Sequence, residues 1–199
     1  MRIFIYGGAG SGKSELAEKY ATNFEGTSLV YAALLDPNSG GDTQERIKKH
    51  KKTRNGKGFF TVQSESESAD NFIEDIYTQI SDFAKKNQKD LTILIEDLGN
   101  LTSRILFSKD GNFLKGEEGF VKSMEFLQKI NALSKNLVVV SNDIFLDGAG
   151  FSTSLLSDEG TLSYYKTLAK LNSTLAHSFE KSIRVVAGIE VNFRTMNQD

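Results

Sequence analysis

Short apolar runs alternate along the chain with longer stretches whose apolar residues recur every three to four positions. Ile3–Tyr6, Ser28–Ala33, Phe59–Val62, Leu91–Ile95 and Leu137–Val140 read as strands. Leu91–Ile95 (apart from Thr92) and Leu137–Val140 are continuously apolar, the pattern of central strands covered on both faces. Helical spacing appears from Lys13 to Asn23 and after Ser68, a predicted cap, where Phe72, Ile73, Ile76, Ile80 and Phe83 form one face. It recurs at Phe120, Met124, Leu127 and Ile130, and from Thr161 to Lys181 at Leu162, Tyr165, Leu168, Ala169, Asn172, Leu175, Ala176 and Phe179. Ile183–Ala187 and Ile189–Phe193, broken at Gly188, predict a terminal hairpin or a bulged strand. The turn cluster Asp36–Asp42 leads into a predicted helix through the basic run Arg46–Lys52. Strands alternating with amphipathic helices predict one α/β domain over residues 1–199, with a largely parallel sheet.

Composition narrows the classes. At 199 residues the chain is long enough to bury a core without staples. The absence of Cys excludes disulfides, thiolate metal sites and a cysteine nucleophile. A net charge of −2 argues against a general nucleic-acid coat. The opening apolar run ends in glycines after four residues, too short for a signal segment or a membrane span. These features predict a soluble cytoplasmic protein with neither a nucleic-acid partner nor a membrane span.

Gly7-Gly8-Ala9-Gly10-Ser11-Gly12-Lys13-Ser14 satisfies G-x-x-x-x-G-K-[ST] between a predicted strand and a predicted helix. Glycines permit a backbone curl whose N–H groups point inward as an anion nest, and the following helix adds unpaired N–H groups at its positive end. Lys13 carries a charge for the β- and γ-phosphates, and the Ser14 hydroxyl is a ligand for Mg²⁺. The expected fold is therefore a P-loop NTPase-type, RecA-like three-layer sandwich: a mainly parallel central sheet with helices on both faces. A nucleoside triphosphate is the expected ligand, and the loop by itself does not say which.

A second metal ligand is expected where another central strand ends. Glu96 is the first candidate and Asp97 the reserve; the competing reading has these acids capping the next helix. Ser141-Asn142-Asp143 ends a second strand at the same edge, where Asn142 and Asp143 either sense a γ-phosphate or substrate or cap a helix.

Arg46, Lys48, Lys49, Lys51, Lys52, Arg54 and Lys57 surround His50. A solvated basic helix face is the plain reading of such a run. A nucleophilic one is open as well: neighbouring cations disfavour imidazolium, leaving the ring neutral, and would offset charge on an attacked phosphate and departing pyrophosphate. His177, within the last predicted helix, reads as a packing or surface residue.

Taken together, these segments resemble the bifunctional adenosylcobinamide kinase/adenosylcobinamide-phosphate guanylyltransferase (CobU) family. The resemblance rests on GGAGSGKSELAE at residues 7–18 and Leu29–Ala33. It continues through Arg46-Ile47-Lys48-Lys49-His50-Lys51 with Arg54, Phe59–Gln63, Leu94–Leu101, Val139–Asp143, Leu171-Asn172 and Val185–Ile189. It implies phosphorylation of adenosylcobinamide by ATP or GTP, and transfer of GMP from GTP to the resulting phosphate through a guanylylated histidine, which maps onto His50. It also implies nucleotide contacts from Lys51, Arg54 and position 63, Mg²⁺ as cofactor, a corrinoid partner, and a homotrimer with active sites between subunits.

Departures are specific. Gln63 replaces the family's Glu, expected on the guanine or ribose, and Phe59 replaces Trp. Leu34-Leu35 stand where small polar residues are usual; Tyr164-Tyr165-Lys166 lacks an Arg-Asp pair, and Asp147–Ser152 lacks a proline. They keep two alternatives open: another P-loop small-molecule kinase, and a non-catalytic nucleotide-binding homologue.

Overall fold

The computed structural model describes residues 1–36, 54–108, 114–144 and 158–195. Seven strands form one sheet: β1 (Arg2–Gly7), β2 (Ser28–Ala33), β3 (Phe60–Gln63), β4 (Leu91–Glu96), β5 (Asn136–Asn142), β6 (Lys181–Val186) and β7 (Ile189–Thr195). Their spatial order is β3-β2-β4-β5-β1-β6-β7, parallel throughout except for β7, which returns antiparallel to β6. The described helices are α1 (Lys13–Thr22), α2 (Ala69–Asn87), α3 (Leu98–Leu106), α4 (Gly116–Leu133) and α5 (Glu159–Ser178).

Side chains alternate between the two faces of each strand, so the apolar runs build two cores. On one face α1 buries Ala17 and Ala21 against Ile3, Ile5, Leu94, Val138, Val140 and Ile183. On the other, Phe72, Ile76 and Ile80 of α2, Leu101 and Ile105 of α3, Phe126 and Ile130 of α4, and Leu168 and Leu171 of α5 cover Phe4, Val30, Ile93, Ile95, Leu137 and Val139. This is the expected three-layer α/β sandwich. Among the described residues no helix is long and apolar enough to cross a membrane.

Boundaries moved where long-range pairing overrode local pattern. The helical period predicted through Lys181 stops at Ser178, because Lys181 and Ser182 pair in parallel with Ile3 and Phe4. Strand β4 takes in Glu96, and β5 runs from Asn136 to Asn142. The break at Gly188 is a hairpin: Ala187 and Gly188 both have positive φ (49° and 79°), the pattern of a tight two-residue turn matching strand twist. A register shift lies between Ser182 and Ile183, so the hairpin carries an irregularity as well. The predicted basic helix at Arg46–Lys52 lies outside the described residues.

Candidate active site

The glycine-rich loop leaves β1 at the carboxyl edge of the sheet and enters α1 through Gly12. Gly10 (φ 67°) and Gly12 (φ 91°) adopt the left-handed conformation that only glycine takes freely. No side chain caps α1, so its first N–H groups remain available for an anion. Three backbone bonds brace the curl. Ser11 N–H donates to Gly8 O (3.3 Å), Asp143 N–H to Gly7 O (2.9 Å), and Gly188 N–H, from the β6–β7 turn, to Ser11 O (2.9 Å). The buried side chain of Lys13 folds over the loop, its Nζ donating to Gly8 O at 3.1 Å. Gly8, Ala9 and Gly10 lie in this loop between β1 and α1.

Gly7 tolerates no side chain. A Cβ there would lie 2.5 Å from Val185 O and 2.7 Å from Ser11 Oγ. Gly7→Ala is therefore expected to destabilise the fold by about 1–3 kcal/mol through overpacking. It should also weaken nucleotide binding; thermal unfolding and nucleotide titration check the two effects.

Glu96 and Asp97, adjacent in sequence, do different things. Glu96 ends β4 on the α1 side and accepts the Ser14 hydroxyl on Oε1 at 2.5 Å. Its Oε2 accepts the hydroxyl of Tyr31, which lies on neighbouring β2. Asp97 is the cap of α3: Oδ1 accepts Asn100 N–H at 2.9 Å, and Oδ2 accepts Asn142 Nδ2 at 2.7 Å. Burial raises the Asp97 carboxyl above its ordinary pKa, offset in part by the Asn100 N–H. Tyr31 is pushed up by burial and then by the charge of Glu96, so its hydroxyl stays a donor across the working pH range.

The Ser14–Glu96 pair fits a hard cation. A hydroxyl and one carboxylate at a triphosphate loop are the protein share of a typical Mg²⁺ site, with phosphates and water completing the shell. Among the described residues no cluster of three or more His, Asp and Glu gathers as a self-sufficient metal centre.

Asn142 and Asp143 both have partners inside the protein. Asn142 donates to Asp97 and accepts Asn172 Nδ2 on its carbonyl (3.3 Å), while Asp143 is buried and lies 3.4 Å from Arg184. Beyond Asp97, Tyr164 is pushed up to about 12 by burial and by that carboxylate; its hydroxyl would come within 2.9 Å of a Cβ at Gly99. A cleft of about 130 Å³ opens nearby, lined by Asp36, Ser66, Asn100, Ser103, Arg104 and Phe107 among others.

Arg54 is buried, with its guanidinium 3.4 Å above the centre of the Tyr31 ring. Gln63 is exposed on edge strand β3, its backbone carbonyl accepting Gln79 Nε2 at 2.8 Å. His177 is exposed, with Nδ1 2.7 Å from Ser173 O. His50 and Lys51 lie outside the described residues. Tyr31 carries no motif that marks it as a site residue; its one signal is a phenol hydroxyl in the middle of strand β2.

The family model described as cobinamide kinase / cobinamide phosphate guanyltransferase matches residues 3–193. No curated protein matches the sequence. Among solved structures, the ATPase domain of G40P is similar over 98% of this chain and 77% of its own (TM-score 0.56, 10% identity). An ATPase from the type III secretion system of pathogenic bacteria is similar over 96% of this chain (TM-score 0.53, 12% identity). The ATP synthase subunit NeqB from Nanoarcheaum equitans is similar over 92% (TM-score 0.53, 14% identity). This chain spans 56% and 45% of those last two. At such identities the likeness is one of fold, that of P-loop ATPases.

Proposed function

Since the chain belongs to the cobinamide kinase / cobinamide phosphate guanyltransferase (CobU) family, we propose that it carries both reactions of that name in cobalamin biosynthesis. In the first, ATP or GTP phosphorylates the aminopropanol hydroxyl of adenosylcobinamide. In the second, GMP passes from GTP to adenosylcobinamide phosphate by way of His50. The reading extends to a cytoplasmic homotrimer.

In the kinase step the loop amides and Lys13 hold the β- and γ-phosphates and offset charge as the γ-phosphoryl group moves to the acceptor oxygen. Ser14 and Glu96 would hold Mg²⁺, which would supply neutralisation of phosphate charge when bound. In the transfer step a neutral His50 nitrogen attacks the α-phosphorus of GTP, forming a P–N bond as the bond to pyrophosphate breaks. The phosphate oxygen of adenosylcobinamide phosphate then attacks the same phosphorus, and the P–N bond breaks to release His50 and adenosylcobinamide-GDP.

The observation that carries the reading is the packing of Arg54 against Tyr31, whose hydroxyl is bound to Glu96, itself bound to Ser14 of the loop. Arg54 follows His50 by four residues. Four residues of chain reach at most about 14 Å. On this reading the short link from Arg54 is what lets His50 reach the triphosphate loop.

GTP labelled in the α-phosphate tests the transfer. Label held by the protein that is released in acid and stable in alkali is expected, as a phosphoramidate requires. No trapped label, with phosphorylation intact, would leave a P-loop small-molecule kinase. One observation favours that second reading: Gln63, standing where the family has Glu, is exposed on an edge strand.

A further inference from the structure

Glu96 sits at the end of a chain of contacts that the family assignment does not explain. One carboxylate oxygen faces Ser14; the other is taken by Tyr31, a residue only 3% exposed. The Tyr31 ring is clamped from outside by buried Arg54, and Phe59 meets it edge-on at 6.1 Å. Parallel pairing of β2 with β4 sets Tyr31 opposite Leu94 and Ala33 opposite Glu96, so the hydroxyl and the carboxylate meet through sheet register. The bond to Tyr31 fixes the orientation of the carboxylate, and in that orientation Oε1 is the oxygen that accepts the Ser14 hydroxyl.

We propose that Tyr31 is a positioning residue: its hydroxyl locks the rotamer of Glu96 so that Oε1 is presented, with Ser14, to the nucleotide-bound divalent cation. Arg54 holds the Tyr31 ring in place, so one residue of the basic cluster supports the cation site through an aromatic ring. The proposal rests on the reading of Ser14 and Glu96 as the cation-holding pair. Loss of such an outer hydrogen bond costs on the order of 10–100-fold in metal affinity at other sites.

Mn²⁺ titrated into the protein saturated with a non-hydrolysable GTP analogue, followed by electron paramagnetic resonance, reads the site without turnover. Tyr31→Phe keeps the ring, its packing and the Arg54 stack while removing the hydroxyl. Expected is a roughly tenfold or larger loss of Mn²⁺ affinity, with affinity for the same analogue in EDTA unchanged. The kinase rate of this variant should recover towards wild type at high Mg²⁺, which a general packing defect would not allow. Tyr31→Leu also lacks the hydroxyl and should show the same loss, serving if the Phe variant does not fold. Wild-type Mn²⁺ affinity in folded Tyr31→Phe, with affinity lost in Glu96→Gln, overturns the role of Tyr31 alone. Wild-type affinity in Glu96→Gln overturns the cation-holding pair, and the proposal with it.

Discussion

Replacing His50 by Ala is expected to lower GMP transfer by on the order of 10⁴-fold or more, the usual consequence of deleting a covalent nucleophile, while adenosylcobinamide phosphorylation persists. The separation follows from the chemistry. A direct in-line transfer of the γ-phosphoryl group needs a positioned acceptor and charge neutralisation, but no imidazole. Transfer through a P–N bond needs a nitrogen lone pair, which Ala lacks. Two product assays on one preparation make the measurement: phosphate label from the γ-position for the kinase, and from the α-position for the transferase. Equal loss of both activities in folded protein would count against His50 as the residue that separates transfer from phosphorylation, and unchanged transfer would remove it from the transfer step.

Lys13→Ala is expected to act on both reactions, lowering each by about 10²–10³-fold. The Lys13 side chain is buried and folded over the loop onto Gly8 O, so its charge lies in a partly desolvated curl where one cation is worth far more than on the surface. The substitution removes the only charged side chain within the loop itself, leaving the amides and the α1 terminus to hold the phosphates. Lys13→Arg should not restore activity: the planar guanidinium is bulkier than the ammonium and is not its equivalent in a fitted slot. Nucleotide titration and both product assays check these outcomes, with thermal unfolding as the control for folding. A fall confined to one activity would mean that the two reactions do not share the loop.

The loop was legible in the sequence because a phosphate nest is a local object. Glycine spacing, a lysine and a hydroxyl within eight consecutive residues suffice to define it, and flanking periodicities place it between strand and helix. The order of strands and helices was legible for a similar reason, since burial on one or two faces imprints a period on the chain. Residues without a local period were not legible. Lys181 continues a helical pattern by composition, yet the structure commits it to β6 because its backbone completes the pairing with Ile3.

By itself, then, the sequence determined the fold class, the triphosphate loop and the family segments, all of which are written in neighbouring residues. Only the tertiary structure decided how Glu96 and Asp97 divide their labour. Successive side chains at a strand end diverge, and the register of β4 against β2 and its nearness to α1 bring one to Ser14 and Tyr31 while the other caps α3. The structure likewise turned Arg54 from one cation in a run into a buried clamp on an aromatic ring. The physical reason is common to both: a side chain's partner is set by which distant segment pairs with its own, and that register depends on the packing of the whole sheet.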